Sequence, residues 1–312
     1  MQRSRHVTLS ILISLWINPN VRAQTVGLGA PPSSRTDGAL QGVRGGVPGG
    51  QVAPMDPRAI LPAGVRETAP GVFNIIDPRP LEKAMHLLSR KLGIPISYEE
   101  PAWVGKGDVI PAAEYPGNEK MAYPGPLIPR GGNFDVVIPR GVISDPTGII
   151  QAAVESHRRF HNPGEFKVIT FGEGEFAVVP DRAEDKNGKM EQQVSPFDSR
   201  ISFPEEERTF SATFKTVFEA IRAAGQAHIS MGFFPNDTLY PRFRLGARNE
   251  VARDVLARML RKPGGQKFSW WLRYDPQGKA YVFNLVSVQA ETQIPGGGVG
   301  LQYVVWPKAQ SR

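Results

Sequence analysis

Two stretches of this 312-residue chain carry the same apolar pattern at a fixed separation, and that repetition restricts the fold more than any other feature. Leu81, Ala84, Met85, Leu88, Ile96 and Tyr98 lie 133 positions before Phe214, Val217, Phe218, Ile221, Ile229 and Met231, without a gap. Further along, Ile149, Ala153, Val154, Phe166 and Val168 lie 102 positions before Val251, Val255, Leu256, Phe268 and Trp270. Self-similarity over such spans is the signature of one supersecondary unit made twice. The separation shrinks because residues 102–133 form an insertion, rich in Gly, Pro and Tyr, in the first copy only.

Each copy reads as strands around two helices. In the first, Phe73–Ile76 is a strand, and Pro80 opens a helix at a position where its missing N–H is harmless. Leu81, Ala84, Met85, Leu88 and Leu92 make one helical stripe, which Gly93 ends as a left-handed cap. Ile94–Tyr98 returns as a strand, and Pro95 predicts an edge position for it because proline cannot donate to a ladder. Phe134–Ile138 is the next strand, and Asp145-Pro146 caps a helix that runs through Phe160. Phe166–Phe171 and Glu175–Pro180 close the unit as a hairpin. The second copy repeats the plan: a helix with Phe214, Val217, Phe218 and Ile221 ending at Gly225, then strands His228–Met231 and Tyr240–Leu245. Asn249 is expected to cap a helix stopped at Pro263-Gly264-Gly265, ahead of a hairpin over Asp275–Gly278. The expectation is an α+β fold: two tandem βαββαββ modules, small sheets packed on helix pairs, with a disordered N-terminal tether.

Domain boundaries follow from texture. Residues 1–23 are expected to be a secretory signal: Arg3 and Arg5, the apolar run Val7–Ile17, a break at Asn18-Pro19-Asn20, and cleavage between Ala23 and Gln24. Eleven apolar residues at 1.5 Å each cover about half a bilayer core, so the processed chain is not expected to span a membrane. Residues 24–71 are a Gly/Pro-rich linker, 72–180 the first module, 181–208 a polar linker, 209–288 the second module and 289–312 a tail. The formal charge of +7 rests on 37 bases and 30 acids; losing Arg3, Arg5 and Arg22 with the signal leaves +4. So small and dispersed a charge gives little counterion-release drive, and no nucleic-acid partner is expected. The chain has no cysteine, which excludes disulfides, thiolate metal sites and a cysteine nucleophile.

Phe73–Ile76, followed by Pro80-Leu81-Glu82-Lys83-Ala84-Met85 and on to Gly93-Ile94-Pro95-Ile96-Ser97-Tyr98, resembles the short N-terminal domain of secretins and TonB-dependent receptors (STN). That family shows a strand, a Leu-x-x-Ala-Leu helix, a Gly, and a β-rich return ending near a tyrosine. Phe214-Lys215-Thr216-Val217-Phe218 matches less closely. The resemblance covers about 25 residues well and perhaps 190 in outline, counted along the printed sequence. It implies an exported, non-enzymatic interaction module of the periplasm or outer envelope. The partner it implies is another envelope protein: a secretin, a TonB-dependent component or a regulator. Two copies without a pore or barrel sequence imply an adaptor.

Candidate chemistry is thin, and neither catalytic, cofactor nor metal residues are assigned. His157 and His161 share a helical spacing that can hold a metal, but His161 sits at the helix end and no third ligand is spaced to join them. His86 and His228 stand alone. Glu99-Glu100 are neighbours that a strand points to opposite faces, which suits them poorly to acid–base work. Glu205-Glu206-Glu207 reads as a solvated run. Trp270, Trp271, Tyr274 and Tyr281 offer an alternative function, a carbohydrate- or peptidoglycan-binding surface built on exposed aromatics. Against it, alternate aromatics in a hairpin usually fill a core.

Overall fold

A computed structural model describes residues 61–307, apart from 117, 119–122, 142–143, 173, 226, 236–241, 262–264 and 295–296. The expected signal, the Ala23–Gln24 cleavage site and most of the 24–71 linker therefore lie outside the described residues, as do the start of the 240–245 strand and the stop at Pro263-Gly264.

The first module begins with β1 (Val65–Ala69) and β2 (Val72–Ile76), then α1 (Pro80–Leu92) and β3 (Ile96–Glu99). The insertion follows as a small hairpin of β4 (Val109–Pro111) and β5 (Leu127–Pro129), and β6 (Asn133–Val137) resumes the plan. α2 (Pro146–Arg159), β7 (Glu165–Phe171) and β8 (Glu175–Glu184) complete it. After β9 (Met190–Gln192), the second module runs β10 (Arg200–Thr209), α3 (Phe210–Ala223), β11 (Ile229–Met231), β12 (Arg242–Val251), α4 (Ala252–Leu260), β13 (Phe268–Asp275) and β14 (Ala280–Ser287). β15 (Gln289–Ile294) and β16 (Gly298–Tyr303) end the described chain as a hairpin.

The fold is α+β, and its pairings repeat. β2 pairs antiparallel with β6 as β10 does with β12; β3 runs parallel to β8 as β11 does to β14; β7 and β13 each form an antiparallel hairpin with the strand that follows. The Phe176 N–H donates to Pro95 O just as the Tyr281 N–H donates to His228 O, which keeps the 133-residue separation intact through these strands. Thr170 opposite Phe176 matches Tyr274 opposite Tyr281, so the first hairpin strand, β7 against β13, has slipped by two residues from the 102-residue alignment. A slip of two leaves every side chain on its original face.

The modules are not separate sheets on a string. β3 also pairs parallel with β13, so the two sets of strands fuse into one sheet in the order β11-β14-β13-β3-β8-β7, with β9 beside β8. One face of that sheet presents Ile96, Tyr98, Phe176 and Val178 to a core containing Leu81, Met85, Leu88 and Ile150 of α1 and α2. The other presents Ala177, Val179, Trp270, Leu272 and Phe283 to Phe214, Ile221, Val255 and Leu256 of α3 and α4. Helix pairs thus cover opposite faces of a shared sheet. The smaller sheets, β1-β2-β6 and β10-β12, lie with the helices of their own module.

Several sequence expectations change. β3 is interior, not an edge: Pro95 precedes the strand, and only its carbonyl enters the ladder. The 181–208 stretch is no plain linker, since it carries the end of β8, β9, a short 3-10 turn at Pro196–Asp198 and most of β10. The 289–312 tail holds the β15–β16 hairpin, and β1 lies inside the 24–71 linker. Asn249 does not cap α4. It takes a left-handed φ of 54° within β12, its N–H donating to Ser202 Oγ, while Val251 stands at the helix start. Other local signals hold. Gly93 is left-handed at φ 65° after α1, and Asp145 accepts from the Gly148 N–H at the start of α2.

Candidate functional site

The junction between the modules is built from charge. Glu99 and Glu100, adjacent on β3 and its exit, are both fully buried. Glu99 receives Arg253 of α4 in a fork, Nη2 to Oε2 at 2.7 Å and Nε to Oε1 at 3.2 Å. The Trp270 indole donates to the same carboxylate at 3.0 Å, and Ser195 Oγ donates to its other oxygen. Glu100 turns elsewhere, accepting from Arg79 Nε and from the Tyr274 backbone N–H, each at 2.7 Å. Glu82 of α1 holds Arg273 of β13 through two nitrogens, 2.7 and 2.5 Å away. Glu175 of β8 pairs with Arg261 beyond α4. Most of these bonds cross from one module to the other, and bidentate guanidinium–carboxylate geometry fixes orientation as well as distance.

Electrostatics follow the contacts. Burial alone would raise the Glu82 carboxyl, but the Arg273 guanidinium, helped by Arg79 and Lys83, holds it below the usual range. At Glu100 burial wins over Arg79 and the carboxyl is pushed up. Arg253 and Arg273 are driven further toward the charged form, Glu99 and Glu82 overcoming the desolvation that opposes it.

A polar cleft of about 660 Å3 lies away from this junction. The insertion supplies Gly107, Asp108 and Arg130; the end of α2 supplies Arg158 and His161; β8 supplies Glu184. Asp108 is buried, accepts from the Glu184 backbone N–H at 3.2 Å, and is pushed up to about 6 by burial and by the Glu184 carboxylate. A Cβ on Gly107 would fall 2.6 Å from Glu184 Oε2, so a larger residue there would push the Glu184 carboxylate aside.

The remaining sequence candidates are dispersed. His157 is buried, stacked edge-on against Phe134 and Phe166, and held down to about 3 by desolvation. His161 is exposed with φ 54°, so the helical spacing does not bring the two together. Among the described residues no group of three His, Cys, Asp or Glu side chains is placed to hold a metal. His86 packs on Trp271 and is lowered to about 4 by burial and by Arg90 and Lys83, whereas His228 is exposed. Glu205–Glu207 are solvated, but within β10 rather than before the second module. Trp270 is 1 % exposed and Tyr274 and Tyr281 are buried, while Trp271 is half-buried against the core of the first module. These aromatics fill both faces of the sheet, and Arg273 lies over the Trp271 ring.

The two end strands of the sheet each carry an outer edge that no other described strand pairs. At one end is β7, at the other β11. Met231, the last residue of β11, is 40 % exposed, and Phe233 just beyond it 64 %. Tyr98 and Glu100, at the equivalent places in the first module, are covered by β13 to 2 % and 0 %. Sequence reasoning missed the buried junction. The usable signal was the unbroken apolar run Phe176–Val179, which marks a strand covered on both faces. No known protein family, curated protein or solved structure matches the chain. No helix among the described residues is long and apolar enough to cross a membrane.

Proposed function

We propose that this chain is an exported, non-enzymatic protein-interaction module, an adaptor of the periplasm or outer envelope related in plan to the STN domain. Its partner is an envelope protein that adds a strand to an open edge of the sheet. The exposed Met231 and Phe233, at places that a strand covers in the sister module, carry this reading. Strand addition supplies affinity through backbone hydrogen bonds and specificity through alternate side chains. The insertion, which walls the polar cleft, is placed to contribute selectivity. Signal-like residues before Gln24 support export.

The test is affinity capture from envelope extract with the processed chain and with Met231→Pro and Thr170→Pro, which block the β11 and β7 edges. The expected result is a protein recovered by the parent and lost with one variant. Recovery of nothing above background, or equal recovery by all three, would overturn the reading. Intact mass of the exported protein should place its first residue at Gln24.

A further inference from the structure

Resting on the edge-addition reading, we infer that the partner is a second copy of this chain, added head to tail, with β11 of one copy laid parallel beside β7 of the next. The internal joint supplies the pattern. There β13, the first hairpin strand of one module, pairs parallel with β3, the return strand of the other. The sister strands of that pair are β7 and β11, and these are the two ends of the sheet. Each end therefore presents the sister strand of one half of a joint the chain already makes once, up to Met231; at Phe233, the counterpart of Glu100, the N–H donates to Asn284 Oδ1 and the carbonyl accepts from the Leu285 N–H.

Strand directions agree. β11 and β14 run one way, β13, β3 and β8 the other, and β7 reverts to the first. β7 and β11 are thus co-directional, and a copy shifted along the sheet meets its neighbour in a parallel pair. Faces agree as well. The modules are related by a half-turn about the hydrogen-bonding direction, because strand order is kept while direction and helix-bearing face reverse. Two such steps restore the starting orientation, so copies follow one another by translation with the ordinary sheet twist. A heterologous contact that does not close generates a filament. Six strands per chain at about 4.8 Å give a repeat of roughly 29 Å.

The edges are chemically ready. On β11 the backbone of His228 and Gly232 bonds to β14, which turns that of Ile229 and Met231 outward. On β7 the charged residues fold back over β8, Lys167 to Asp181 at 3.2 Å and Glu165 to Arg182 at 3.8 Å, rather than guarding the edge. The junction charges are not repeated: Gly232 and Phe233 stand where the first module has Glu99 and Glu100, and Gln151 where the second has Arg253. The joint between chains is therefore apolar and backbone-bonded, and insensitive to salt.

Sedimentation velocity and electron microscopy of the processed chain across concentration test this. Mass should grow with concentration at low and high salt alike, and filaments should show the repeat given above. Met231→Pro and Thr170→Pro remove outward N–H groups without touching the β11·β14 or β7·β8 ladders, and each should stay at monomer mass with an unchanged circular dichroism spectrum. Mixed, they should form a one-to-one dimer of twice that mass, since each keeps the end the other lacks. If either proline variant fails to fold, Phe233→Asp and Thr170→Asp replace the pair with the same expectation. A parent chain that stays monomeric at every concentration, or mixed variants that fail to pair, overturns the inference. Capture of a different envelope protein by a chain that remains monomeric overturns it while sparing the proposed function.

Discussion

Glu99 contributes more to the fold than its place in the sequence suggests, because its partner Arg253 lies 154 residues away and both are buried. Removing one member of such a pair strands the other charge, which costs about 3–5 kcal/mol. Glu99→Ala and Arg253→Ala should each lower unfolding free energy in urea by that order. The double variant should cost less than the two singles added, since neither charge is then left alone. His157 and Asp108 give pH dependences of opposite sign. The folded-state pKa of His157 is lowered to about 3 from 6.5. Its stabilising effect is full above about pH 6.5 and declines as pH falls toward 3, by up to about 1.4 kcal/mol per pH unit. His157→Phe should flatten that acid limb in thermal melts. The folded-state pKa of Asp108 is raised to about 6 from 3.8. Its stabilising effect is present below 3.8 and lost as pH rises through 6, so Asp108→Asn should melt higher than the parent at pH 7.5 and equal it by pH 4. Alternation along the strand correctly separates Glu99 from Glu100, yet nothing local reveals that arginines meet both.

Elements were the most legible level. The stripe Leu81–Leu92 closes at Gly93, and Asp145-Pro146 opens α2, because caps and periodicity are local chemistry. Asp145→Ala should cost about 1 kcal/mol through the lost cap. Position within a sheet is not local. Pro95 reads locally as an edge marker, but it needs only to lie one residue outside the strand to be harmless. Asn249 has a residue type that suits a cap, yet the same tolerance of left-handed backbone serves an irregularity in β12. Trp270 and Trp271 illustrate the remaining gap. In a hairpin with one wet face one of them would be exposed, but helices lie over both faces here. Trp270→Ala should cost about 3–5 kcal/mol in denaturant, as large buried aromatics do.

At the scale of the whole molecule the repeat was readable and the fusion was not. Periodicity reports what each strand buries, while the β3·β13 pairing depends on two edges that meet only when both modules exist. The shared sheet makes the halves a single cooperative unit, so calorimetry of the chain should give one unfolding transition. Two resolved transitions would show that the halves melt independently.

The order of the charges along the chain has a consequence for biosynthesis. Glu82 and Glu99 come early, whereas Arg273 and Arg253 belong to the final fifth. As the polypeptide emerges, its leading half carries two carboxylates whose forked guanidinium partners are not yet made. Until the arginines are made, burying either carboxylate would strand a charge, so the joint between the modules closes only once the final fifth of the chain exists.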